Sequence, residues 1–195
     1  MTSFLIPNGS FTTEIEVKRS RFIAVCAHTT GLAGAKAFIK SLKQLYPDAR
    51  HHCYAYIAGS PSNSNLYGYS DDNEPSGTAG RPIFNHLVHS GIGEVSIVVV
   101  RYFGGTKLGT GGLARAYSDA TKQVINAITT KRHIEMEDCL IKCDFSLETL
   151  TRKNIIKKGG SIISVSYSKS VDITCKIPVN IELNLPYSVS VKSSI

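Results

Sequence analysis

The stretch EVSIVVVRYFGGTKLGTGGLARAYSDATKQVINAI, residues 94–128, decides the fold. It opens on Ile97, Val98, Val99 and Val100, a β-branched apolar run of the kind found in strands buried on both faces. It closes on a helical pattern. Leu113, Tyr117, Ala120, Val124 and Ile128 recur at steps of three or four and make one apolar stripe. Between strand and helix, residues 104–112 contain five glycines: Gly104, Gly105, Gly109, Gly111 and Gly112. A buried strand, a glycine loop and a helix in that order leave free backbone N–H groups at a helix N-terminus, where an anion can be held. Arg101, Lys107 and Arg115 supply cationic side chains around it.

Glycines also serve tight strand-to-helix connections, so loop composition alone leaves both readings open. Two phosphate motifs can be tested directly. Gly104 and Gly109 have the spacing of a Walker A loop, but Thr110 stands where its lysine belongs. Gly109, Gly111 and Ala114 fit a dinucleotide fingerprint loosely. About twenty residues on, where that motif needs an acid, the chain reads Lys131, Arg132, His133.

The 195 residues suit one large domain or two small ones. No apolar run is long enough for a membrane span, and the first ten residues lack the pattern of a secretory signal. Five cysteines without a C-x-x-C pair read as reduced thiols of a cytoplasmic protein rather than a zinc site. The net charge of +7 is uneven. Residues 1–133 hold fourteen Lys and Arg against eight Asp and Glu; the remainder hold eight against seven. The basic excess of the first part favours an acidic or polyanionic partner.

Outward from the central stretch, residues 1–11 read as a loose lead-in and 59–80 as loop. Thr12–Lys18, Arg21–His28 and His51–Ala58 read as strands. In the last of these, His51, Cys53, Ala55 and Ile57 share one face; His52, Tyr54 and Tyr56 share the other, taken as the more accessible. Gly31–Tyr46 is an amphipathic helix with Leu32, Ala35, Ile39, Leu42 and Tyr46 inward, and with Lys36, Lys40 and Lys43 as a second, basic stripe. Asp71, Asp72 and Glu74 crowd into four residues and demand nearby cations, for which Arg81, Arg101 and Arg115 are the candidates. An ion-pair network is the favoured reading of these acids, over a metal site. Arg81–Ser90 reads as a short helix with Pro82 in its first turn.

Residues 129–133 read as a polar linker and set a domain boundary, giving domains 1–133 and 134–195. The second domain reads as a strand or strand-turn-strand in 134–145, a helix over 147–158 capped by Ser146 and ended by Gly159 and Gly160, a hairpin around 168–170 and a last strand within 183–191. That order is β-α-β-β-β, a ferredoxin-like plan with little room for a second helix.

SDDNEPSGTAGRPI (70–83) and VVVRYFGGTKLGTGGLARAYSDA (98–120) resemble the paired signatures of the IMPACT/YigZ family, and RSRFIA (19–24) and RHHCYAYIAG (50–59) are similar to its earlier motifs. Asn73 departs from the glycine usual there; a positive-φ position accepts Asn at modest cost. The resemblance implies an α+β protein of two domains. The first would adopt a ribosomal-protein domain 2-like fold with a left-handed β-α-β crossover, and the second would be ferredoxin-like, similar to the C-terminal domain of elongation factor G. It also implies a link to translational control, which eukaryotic relatives exert by competing for an activator of an initiation-factor kinase.

Two functions follow as expectations. One is a non-enzymatic, translation-linked protein that binds RNA, DNA or a translation-associated protein. It would use Arg101, Lys107, Gly109, Gly111, Gly112 and Arg115, the Lys36/Lys40/Lys43 stripe, and stacking on Tyr54, Tyr56, Tyr102 or Phe103. This reading needs no cofactor, metal or catalytic residue. The other is a nucleotide- or phosphate-binding enzyme or sensor built on the 104–112 loop, with Asp71, Asp72 or Glu74 holding Mg²⁺ or acting as base.

Overall fold

The structure is a computed structural model that describes residues 3–186 and 189–193. The chain divides into two compact units, one spanning Phe4–Arg132, the other running from His133 onward together with Ser3. Strands and helices mix in both, so the fold is α+β.

In the first unit β1 (Ser3–Pro7) precedes β2 (Ser10–Val17) and β3 (Ser20–His28). Then come α1 (Gly31–Leu45), β4 (His51–Ile57), β5 (Tyr67–Ser70), α2 (Gly80–His89), β6 (Val95–Tyr102) and α3 (Gly109–Ala127). Five strands form one sheet in the order β2-β3-β6-β4-β5, antiparallel at every neighbour. The valine run lies in β6, the middle strand, and is buried on both sides. On one face Phe22, Ala24, Cys53, Ala55, Ile97 and Val99 pack under α2 and α3. On the other, Ile23, Val25, Val98 and Val100 meet Ile39 and Leu42 of α1. The α3 stripe is buried as its periodicity requires, with Leu113, Tyr117, Ala120 and Val124 in the core. Tyr117 is fully enclosed and meets Phe22 edge-on at 5.2 Å.

The face of β4 carrying Tyr54 and Tyr56 is the more accessible of the two, as expected: both tyrosines are half-buried, whereas Cys53, Ala55 and Ile57 opposite are fully buried. His52 is the exception on that face and is buried, because α1 crosses this side of the sheet. Several other expectations are corrected. Leu32, expected inward, is exposed. The loop assigned to 59–80 contains a 3₁₀ turn at Ser64–Leu66 and the edge strand β5, whose short sequence YGYS carries too few apolar residues to announce a strand. The lead-in contains β1. The polar segment after α3 forms β7 (Thr130–Ile134), paired with β1; backbone pairing here overrides a polar sequence.

The second unit contains β8 (Met136–Cys143), α4 (Glu148–Lys157), β9 (Ser161–Tyr167), β10 (Val171–Pro178) and β11 (Ser190–Ser193). Its sheet order β11-β8-β10-β9 is that of a ferredoxin-like domain. Ile141, Ile155, Val171 and Ile173 fill its core. The hairpin and the helix stop at Gly159, φ +82°, stand as expected. Ser146 is not the cap of α4: it lies inside a 3₁₀ turn, Phe145–Leu147, that precedes the helix. The last strand is shorter than expected. Residues 183–186 carry no regular structure, and 187–188 lie outside the described residues. No second helix occurs among the described residues.

Candidate functional site

The sheet register sets the site. Arg101 is the seventh residue of β6 and stands opposite Phe22 on β3 and His51 on β4. At this end of the sheet the β5–α2 and β6–α3 connections emerge. They meet at one cleft of about 400 Å³, lined by Arg50, His51, Glu74, Pro75, Arg101, Phe103 and residues Lys107 to Thr110, with Leu113 behind.

The acidic segment is organised as an ion-pair and capping network. Asp71 accepts hydrogen bonds from the N–H groups of Gly77, Ala79 and Gly80 at 2.8–2.9 Å. It thereby caps α2 from nine residues upstream of the helix start. Asp72 takes the ammonium of Lys43 at 2.8 Å and the His52 N–H at 2.7 Å. Asp72 and Asn73 both have positive φ, 39° and 69°. Glu74 Oε1 accepts from Arg101 Nη1 at 2.7 Å and from the Tyr117 hydroxyl at 2.8 Å. All three carboxylates are therefore occupied by protein donors. Of the expected partners Arg101 alone is used. Arg81 and Arg115 are exposed and make no ion pair among the described residues, while Lys43 serves in their place.

Burial shifts the groups behind the cleft. The Cys53 thiol lies 2.9 Å from the Asp71 carbonyl and 3.3 Å from the Tyr117 hydroxyl. Loss of hydration pushes both Cys53 and Tyr117 well above their ordinary values, so both stay protonated.

On the opposite wall, α3 begins at Gly109, so the glycine-rich segment is half loop and half first helical turn. Gly109 has φ +72°, which favours glycine. Gly104 is required by contact: a methyl group there would sit 1.9 Å from the carbonyl carbon of Arg19. Gly111 has no such reason, since nothing lies within 4 Å of where its methyl would be. Leu108 precedes the helix without a side-chain cap, and no acid occupies the first turn. The amides of that turn have no partner from the helix itself.

The cations sort by position. Arg101 and Lys107 line the cleft. Arg115 and Gly112 face a separate hollow beside Lys18 and Asp119. Gly109 and Thr110 line the cleft and Gly111 follows them in the same turn. Lys36 and Lys40 are exposed on α1 and line none of these hollows. Among the aromatic candidates, Phe103 stands at the cleft, 51% exposed, with the Arg101 guanidinium 5.7 Å from its ring. Tyr54 and Tyr56 stack on each other at 6.2 Å, and Tyr102 lies under Arg21.

Sequence reasoning missed Arg50 and His51. His51 Nδ1 donates to the Asp72 carbonyl at 3.0 Å, which fixes the orientation of the ring at the cleft. Its signal was its place in register beside Arg101, which strand periodicity does not reveal.

The comparisons with known proteins agree with this architecture. The sequence model of the Impact N-terminal domain matches residues 18–125, which include every residue of the cleft. The chain is 43% identical over 178 residues to the IMPACT family member YigZ of Escherichia coli (strain K12), covering 91% of this chain and 87% of that one. An IMPACT family member of Haemophilus influenzae is 41% identical over 173 residues, covering 89% of this chain and 84% of its own. A solved crystal structure of a hypothetical protein, 43% identical, is similar with a TM-score of 0.73 over 91% of this chain and 86% of that chain. The chain belongs to the IMPACT family.

Proposed function

We propose that this protein is a translation-linked regulator that acts by binding rather than by catalysis, and that it holds RNA at the cleft between Glu74 and Thr110. The observation that carries the reading is the cleft's composition. An uncapped helix start, Lys107, Arg50 and the buried guanidinium of Arg101 surround one exposed ring. Backbone amides and cations take phosphate, and the ring takes a base. The translational link comes from the family resemblance; the ligand class comes from the cleft and from the basic excess of the first 133 residues.

Binding to a single-stranded RNA should weaken steeply with added salt, because each neutralised phosphate releases counterions. Lys107→Glu with Arg50→Glu should abolish binding while leaving the thermal transition in place. Equal RNA affinity in the double variant would remove the cleft from the interface.

A second reading is a nucleotide sensor or phosphate-processing site. The placement of His51 favours it, since a ring whose Nδ1–H is held by the Asp72 carbonyl is fixed in orientation at the cleft wall, where it can serve a bound phosphate. Thermal stabilisation by ATP–Mg²⁺ well beyond that given by plain phosphate would support it.

A further inference from the structure

Resting on the binding reading above, we propose that the cleft accepts a single nucleotide unit ending in a phosphate monoester. The phosphate would sit over the first turn of α3, and the base would lie against Phe103.

Charge selects the kind of phosphate. Arg50, Arg101 and Lys107 bring three positive charges to the cleft, and Glu74 removes one. Two remain. A terminal phosphate monoester carries about −1.5 to −2 at pH 7, whereas an internal diester carries one negative charge. The balance therefore fits a chain end or a free mononucleotide better than the middle of a strand.

Arg101 supplies an independent reason to expect an occupant. Its side chain is more than nine-tenths buried and lines the cleft, yet it makes one side-chain hydrogen bond, Nη1 to Glu74. Its Nε has no partner. Buried donors are normally satisfied, and a half-used guanidinium facing a cleft is a group kept for a ligand. The α3 start adds a second set of open donors in the same place, with Gly109 and Thr110 on the wall. Gly111 in the same turn is a glycine that neither backbone conformation nor packing demands. Glycine weakens a helix, and its use here leaves the backbone bare to an approaching group.

Size and polarity set the rest. A volume of about 400 Å³ lies at the small end for ligand pockets, which suits one nucleotide and excludes a duplex. Pro75, Leu108, Leu113 and Phe103 give the cleft apolar walls that phosphate alone would not need.

The test uses the full chain and RNAs of about ten nucleotides in one sequence, carrying a 5′-phosphate, a 3′-phosphate or hydroxyls at both ends. AMP is titrated alongside. Phosphorylated ends should bind about tenfold more tightly than the hydroxyl form. Lys107→Met should erase that preference, and Phe103→Ala should weaken AMP, each with an unchanged thermal midpoint. AMP competing with the phosphorylated RNA identifies the free nucleotide as a source; end-phosphorylated RNA binding without AMP binding identifies the RNA end. Equal affinity for all three RNAs overturns the terminal-phosphate inference and leaves RNA binding standing. AMP binding without any RNA binding at low salt ends the RNA reading and keeps the pocket. No binding by any probe ends both.

Discussion

Glu74 and Arg101, 27 residues apart in sequence, meet at 2.7 Å with side chains only 3% and 7% exposed. The pair ties the β5–α2 connection to the end of the central strand, and the Tyr117 hydroxyl of α3 joins it. Three elements are thus fixed around one carboxylate. The guanidinium also lies 5.5 Å from the Phe22 ring, which shields it further.

Glu74→Gln should lower stability by about 3 kcal/mol, because it leaves Arg101 buried without a counter-charge. Urea denaturation would measure this. Among molecules that remain folded, affinity for inorganic phosphate should rise, since the cleft gains one net positive charge. An unchanged urea midpoint together with unchanged phosphate affinity would mean that the pair contributes to neither.

Asp71→Ala should destabilise the start of α2. Three N–H groups lose their acceptor, at a cost of about 2 kcal/mol. Hydrogen exchange should quicken first at residues 77–80. Protection retained there would show that water replaces the carboxylate at no loss.

Gly111→Ala should stabilise the fold by about 0.5–1 kcal/mol, because the added methyl meets no atom and α3 gains helix propensity. Differential scanning calorimetry gives the answer. A lower melting temperature would contradict the open surroundings of this residue.

Stability should fall as pH drops below about 6.5. His52 is buried, and loss of hydration holds its imidazole below that ordinary value; Asp72 opposes the shift, while Lys43 and His51 add to it. His86 is lowered in the same way, first by burial and next by Lys122. The unfolded chain therefore takes up protons near pH 6.5 that the folded chain refuses until lower pH. The stability is fully present above this range. It declines as pH falls through it and levels off beneath the folded-state values. His52→Gln should flatten part of the decline in a series of urea titrations between neutral pH and pH 5. An identical slope in the variant would move the effect elsewhere.

The buried strand β6, the helix stripes of α1 and α3 and the second-domain hairpin were all legible in the residues. Each depends on a repeat of two or of three to four residues, and burial follows that repeat locally. Strands β1, β5 and β7 were not. Their sequences are short or polar, and their existence rests on a partner strand elsewhere in the chain. The same division holds at the cleft. Its glycine wall could be read from residues 104–112. The role of Asp71 as a helix cap could not, because its acceptor geometry arises only when the chain doubles back at residues 72–73, where both φ angles are positive.

By itself the sequence determined the strongly periodic elements, the basic character of the first domain, the crowding of acids at 71–74 and the family signatures. Tertiary structure alone decided which charges remain available. It spent Lys43 on Asp72 and half of Arg101 on Glu74, turned Arg115 to another hollow, and brought Arg50 and His51 to the cleft. The physical reason is that charge pairing and strand register depend on distances between residues far apart in the chain. Those distances exist only once the sheet and its helices have packed.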